Sequence, residues 1–148
     1  SLSQKLAQIG AELLPHTLKD ISEGLLKSIP QDENHEKPSY CHKIKKEDGF
    51  TDFKIEAEKI RNMIRAYTPW PQVYTKFHDR KLKLLSAKVE EGDTNLAAGT
   101  FFVQDKVLKI ATTKGKLIPE KLQFEGKKEI SAKEFINGNL KFISNLAN

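Results

Sequence analysis

Ten basic side chains have the type and spacing to do chemistry in this sequence: Lys43, Lys45, Lys46, Arg61, Arg65, Lys81, Lys83, Lys114, Lys127 and Lys128. The chemistry is phosphate binding. Ammonium and guanidinium groups pair with phosphate oxygens and release counterions, giving an affinity that falls steeply with salt. Lys81 and Lys83 are two positions apart, which on a strand sets both on one face. Arg61 and Arg65 are four apart on an expected helix, where like charges cost a few tenths of a kcal/mol. Such a pair suits an anion contact better than a stabilising device. Each single lysine also has a plainer reading as a solubilising charge, and Lys127 and Lys128 follow Gly126 where a strand should exit into a turn. Trp70, between Pro69 and Pro71, reads as a core plug at a corner, with base stacking as the less favoured alternative.

Other chemistries find little support. Cys41 is the only cysteine, which excludes an internal disulfide framework and thiolate zinc clusters. The four histidines, His16, His35, His42 and His78, are scattered without metal-ligand spacing. There is no phosphate-cradling glycine loop, no nucleophile elbow, and no histidine beside a candidate nucleophile. The carboxylates mostly alternate with lysines, as on a solvated face. The residues themselves point to binding without transformation.

Charge is divided unevenly. Residues 1–40 hold 4 Lys and 6 Asp+Glu, net −2, whereas residues 41–148 hold 21 Lys+Arg and 14 Asp+Glu, net +7. The basic part is the one suited to a polyanion. Hydrophobic content of 38% and charged content of 30% suit a globular protein with a modest core. No apolar run approaches the roughly 20 residues that span a bilayer, so no membrane partner is expected. The start at Ser1 leads into an amphipathic pattern, not a signal peptide, and the missing Met suggests an excised piece of something longer.

The elements that must position the basic residues follow from periodicity. Leu6, Ile9, Leu13, Leu14, Leu18, Ile21 and Leu25 recur at helical steps, predicting an amphipathic helix that Pro15 should kink or restart, with Gly24 loosening its end. Its apolar stripe needs a covering body. The proline-bounded polar stretch after it reads as a linker whose second half is basic. Asp52 suits the N-cap of a helix running to about Tyr67, with Ile60, Met63, Ile64 and Tyr67 buried and Lys54, Glu58, Arg61 and Arg65 exposed. After Pro71 come short alternating strands: QVYTKF, a turn at His78-Asp79, RKLKLLSAKV, a turn over 91–95, TFFVQ, a turn at Asp105-Lys106, VLKIAT, a turn at Lys114-Gly115, and KLIPEKLQF. Ser131 and Glu134 form a capping box for a closing helix ending at Gly138. The fold class expected is α+β, mainly β: a small antiparallel OB-like barrel preceded by a helix, with a separate N-terminal helix and linker.

One family carries this combination. PQDE at 30–33, the pattern Y-x-x-KI-x-KEDG at 40–49, IRAYTPWPQVYT at 64–75, AAGT at 97–100 and LQFEGKKEISAKEFINGN at 122–139 together resemble the end of methionyl-tRNA formyltransferases. The resemblance covers most of the chain from Gln31 to Asn139, in order and at the expected spacing. It implies that 1–28 is the last helix of an α/β catalytic domain, 29–50 a linker, and 51–148 an OB-like domain that helps grip initiator methionyl-tRNA. It implies 10-formyltetrahydrofolate as the formyl donor of the parent enzyme, with no cofactor held by this fragment, and a cytoplasmic or organelle-matrix setting. The family's catalytic Asn, His and Asp would lie upstream of position 1. Leu14-Pro15-His16 superficially suggests that family's H-x-S-x-L-P loop, but the histidine follows the Leu-Pro instead of preceding it, so it is no site. Three features depart from the family: Pro15 in the first helix, Phe53 in place of the usual Trp, and Cys41-His42. A related formyltransferase or formyltetrahydrofolate hydrolase acting on a substrate other than tRNA is the alternative.

Overall fold

The computed structural model describes residues 2–29, 40–92 and 94–145. Residues 30–39, which include Pro30 and Pro38 of the expected linker, lie outside the described residues. The chain divides into two compact units, Ser1–His42 and Lys43–Asn148.

The first unit contains α1 (Leu2–Ser22), and no residue of it is buried. The helix runs through Pro15 without the expected restart: one proline deletes a single N–H from the ladder, and the flanking hydrogen bonds carry the helix past it. Gly24 closes the helix instead of loosening it. At φ +69°, its N–H donates to the Ile21 carbonyl at 3.1 Å, and the Leu25 N–H donates to the Asp20 carbonyl at 2.9 Å. This left-handed glycine cap satisfies carbonyls that a plain helix end leaves open.

The second unit holds the sheet and core. Its elements are a 3-10 turn (Lys46–Gly49), α2 (Ala57–Ala66), β1 (Val73–Phe77), β2 (Arg80–Glu90), β3 (Phe101–Gln104), β4 (Val107–Ala111), β5 (Lys116–Phe124), β6 (Glu129–Ser131), α3 (Ala132–Asn139) and β7 (Ser144–Asn145). The hydrogen-bonded order is β1-β2-β5-β4-β3-β7, with β6 added on β5. Pairings are antiparallel except β3 with β7. The mainly-β α+β class stands, but the strand path is open and does not close into a complete barrel. β2 pairs with β5 from Leu82 to Glu90, with register shifts around Ser86. Such irregularities bend a long strand and raise its twist.

The core lies between the sheet and the two flanking helices. Ile60 and Ile64 of α2 meet Leu82 and Leu84 of β2 in one buried cluster with Leu117 and Leu122 of β5. Phe77 packs against Phe101 and Phe135 with ring centroids 4.9 and 5.0 Å apart, a spacing that favours tilted aromatic pairs. Phe135 is brought there by α3, whose Ser131 cap is as expected: its Oγ accepts from the Glu134 N–H at 3.3 Å. The hydrogen bond from the Ser131 backbone holds the Glu134 carboxyl below its usual range.

Asp52 does not cap α2. The helix begins at Ala57 with Glu56 at the N-cap, while Asp52 Oδ1 accepts from the Lys54 N–H at 3.0 Å. That bond, with the Lys54 ammonium, lowers the Asp52 pKa. The reason is Phe53, which is buried with φ +65° and cannot join a right-handed helix. Its ring fills the core edge-on to Phe101 at 5.9 Å. Lys54 therefore does not share the helical face of Glu58, Arg61 and Arg65. Ile60 and Ile64 are buried as expected, with Met63 and Tyr67 partly so.

Candidate nucleic-acid interface

Alternation along β2 decides where its lysines point. Leu82 and Leu84 enter the core beneath α2, so Lys81 and Lys83 project from the opposite face. On β1 the same outer face carries Tyr74 and Lys76, since Val73, Thr75 and Phe77 are buried. Register sets Tyr74 opposite Lys83 and Lys76 opposite Lys81. The Lys81 ammonium sits 3.9 Å from the centre of the Tyr74 ring and 3.7 Å from a Glu125 carboxylate oxygen. Lys83 continues the row to Gln123 of β5, and Gln123 Nε2 donates to the Lys127 carbonyl at 2.8 Å. The turn bearing Lys127 and Lys128 is thus fastened to the same row.

The basic segment before the sheet joins this surface. The Lys45 N–H donates to Asp48 Oδ2 at 2.7 Å, closing the 3-10 turn that carries Lys46. Phe50 then bridges to Tyr74, the Thr51 N–H donates to the Tyr74 carbonyl at 2.9 Å, and the Phe50 and Tyr74 rings lie 5.7 Å apart. The compact unit therefore starts at Lys43, ahead of residue 51. Gly49 is what permits the approach: a Cβ there would lie 2.2 Å from the Gln72 carbonyl oxygen, a backbone atom that cannot swing away. Gly49→Ala is expected to cost about 1–3 kcal/mol of stability, as overpacking does, and to detach the basic turn. Chemical denaturation of the variant, read beside hydrogen exchange at Thr51, checks both.

The segments that carry seven of the ten basic residues, Lys43, Lys45, Lys46, Lys81, Lys83, Lys127 and Lys128, are thus tied by backbone contacts to β1, β2 and β5. The other three lie elsewhere. Arg61 is ion-paired with Glu58 one turn before it on α2, and Arg65 follows on the same helix, on the side of the sheet that Lys81 and Lys83 face away from. The Lys114 carbonyl accepts from the Ala57 N–H at 3.0 Å at the start of α2. Its side chain lines a recess of about 610 Å³ with Glu56, Glu58 and Glu91, an acidic setting unsuited to phosphate.

Trp70 is not a core plug. It is 58% exposed in the turn between α2 and β1. Sequence reasoning also passed over Phe50, Tyr74 and Lys76. An aromatic and a lysine two apart at the outward positions of β1 were the available signal. Among the described residues, no group of three or more His, Cys, Asp or Glu is placed to hold a metal. No helix there is long and apolar enough to cross a membrane.

Residues 43–140 match the family described as the C-terminal domain of formyl transferases. The methionyl-tRNA formyltransferase of Rickettsia bellii is 39% identical over 137 residues, covering 93% of this chain and 43% of that protein. The same enzyme from Carboxydothermus hydrogenoformans is 40% identical over 138 residues, covering 93% and 44%. The chain thus spans less than half the length of the curated relatives it matches. Among solved structures, HypX from Aquifex aeolicus aligns in a multiply substituted variant with TM-score 0.61 and 16% identity, covering 91% of this chain and 24% of that one. Its complex with tetrahydrofolic acid aligns with TM-score 0.60 at 17% identity, with the same coverage. At such identities the likeness is one of fold.

Proposed function

The chain belongs to the formyl transferase C-terminal domain family, and from that premise we propose that it is the tRNA-binding end of a methionyl-tRNA formyltransferase. The whole enzyme would move a formyl group from 10-formyltetrahydrofolate to the amino group of methionyl initiator tRNA, in the cytoplasm or an organelle matrix. This part would supply phosphate contacts from the outer face of β1 and β2 and from the turn ahead of them. α1 would be the last helix of the catalytic domain, its stripe of Leu6, Ile9, Leu13, Leu18 and Ile21 being exposed here and meant for that body.

The observation that carries the reading is the joining of Lys43, Lys45 and Lys46 to Lys81 and Lys83 through the Phe50–Tyr74 bridge. Cations so gathered repel one another unless an anion lies over them. Titration of the 148-residue chain with initiator tRNA at several salt concentrations is the test. Neutralising about four phosphates gives a slope of log affinity on log salt near −3 or steeper, without formyl transfer. Binding that is absent, or indifferent to salt, favours a related formyltransferase acting on something other than tRNA. Full transferase activity from this chain alone would defeat the division of labour.

A further inference from the structure

Phosphate contacts explain the lysines but leave Phe50 without a role. It ends the basic turn, fixed by its N–H donating to the Glu47 carbonyl at 2.9 Å and by its bridge to Tyr74. Although it packs on Tyr74, its side chain is 46% exposed. Tyr74 is already engaged by Phe50 and the Lys81 ammonium, so Phe50 presents the available ring.

Three lysines belong to the segments next to it. Lys46 lies in the turn that Phe50 ends, Lys83 stands opposite Tyr74, and Lys76 stands opposite Lys81. No carboxylate among the described residues pairs with Lys46, Lys76 or Lys83. Like charges directly opposite on two strands are unfavourable by themselves; Glu125, 3.7 Å from the Lys81 ammonium, offsets that one charge and leaves Lys76 for an outside anion. An exposed aromatic face on a lysine-bearing edge matches a nucleotide, whose base is flat and apolar and whose flanking phosphates are charged. A paired base in a helix is stacked on its neighbours and cannot reach such a ring, whereas an unpaired one can.

We propose that Phe50 is a stacking surface for one unpaired base of the bound RNA, with Lys46, Lys76 and Lys83 holding the adjoining phosphates. This rests on the RNA-binding reading and adds the kind of RNA element that binds. The RNA is read at a loop, bulge or end, and not by its backbone alone.

The test compares an unstructured oligouridine with a blunt RNA duplex of equal phosphate number, each titrated with the 148-residue chain at one fixed salt. Phe50→Ala is expected to lose about tenfold in affinity for the oligouridine, the worth of one base–aromatic stack, while duplex affinity stays within about twofold. Phe50→Tyr, which keeps the ring, should retain the oligouridine affinity. Equal loss on both RNAs, or no loss on oligouridine, overturns the proposal. A second variant does not depend on weakening the fold. Trp70 is the only tryptophan, so Phe50→Trp combined with Trp70→Phe places one fluorophore at the site. Quenching by oligouridine and not by duplex is expected; absence of quenching by bound oligouridine overturns stacking. If the unaltered chain binds neither RNA, the RNA-binding reading itself falls, a result distinct from any of these.

Discussion

Replacing Lys43, Lys45 and Lys46 together by glutamate is expected to lower affinity for initiator tRNA about 100-fold or more at low salt. Three phosphate contacts disappear and three repulsive charges take their place, so the slope of log affinity on log salt should also flatten by about 2 to 3. The prediction is specific to this place in the fold. Arg61→Glu with Arg65→Glu should change affinity no more than about threefold, because Arg61 is already paired with Glu58 and both lie away from the lysine row. Fluorescence anisotropy with labelled tRNA at three salt concentrations separates the outcomes. If the arginine pair dominates, α2 and not the turn ahead of the sheet is the RNA-facing element. If neither change matters, the interface is misplaced.

The second large effect concerns stability. Glu90 at the end of β2 accepts hydrogen bonds from two ammonium groups, Lys109 of β4 and Lys116 of β5, each at 2.8 Å. The Lys109 side chain is only 6% exposed and that of Lys116 15%, so neither can turn to water for compensation. Gln104 Oε1 also accepts from Lys109, at 3.3 Å. Removing the shared carboxylate by Glu90→Ala leaves buried charge unpaired, which costs about 3–5 kcal/mol. In a domain of this size that lowers Tm by roughly 12–20 °C. Glu90→Gln should recover part of the loss by keeping an acceptor, and Lys109→Met should be tolerated far better than Glu90→Ala, since removing a buried charge differs from orphaning one. Calorimetry of the three variants orders them; a Glu90→Ala protein as stable as the parent would sink the account.

The same cluster gives a pH dependence with a definite sign. Hydrogen bonds from Lys109 first and Lys116 second hold the Glu90 carboxyl below the usual glutamate pKa of 4.5. A carboxylate depressed in the folded state stabilises above its unfolded pKa, and that stabilisation is lost as pH falls through the lower folded value. The loss of stability should therefore set in as pH falls into the ordinary glutamate range and continue below it, and Glu90→Gln should remove that part of the pH slope.

Much of this could be read from residue order, and the failures share a cause. β5 runs over the whole of KLIPEKLQF because alternating burial and flanking turns are local signals. β6 and β7 gave no such signal: Glu129–Ser131 and Ser144–Asn145 are strands only because β5 and β3 offer them hydrogen bonds. Asp52 looked like a helix cap because capping is a matter of local spacing, while the buried left-handed Phe53 that displaces it is a demand of the core. Trp70 misled for the converse reason, since size and flanking prolines suggested burial and the folded chain leaves it exposed. For the interface, Lys81 and Lys83 were found by periodicity. The separation of Arg61, Arg65 and Lys114 from them was beyond reach, because it depends on which face of the sheet α2 covers.

The close approach of Gly49 to Gln72 has a consequence for how the lysines act. A cation on a free tether must surrender much of its freedom on meeting a ligand, whereas one on a braced turn has already done so during folding. Lys46, held between the Asp48 clasp and the Tyr74 bridge, belongs to the second kind. A docking RNA would meet its ammonium on backbone already set by folding, so the ordering cost of that contact falls on the fold and not on the encounter.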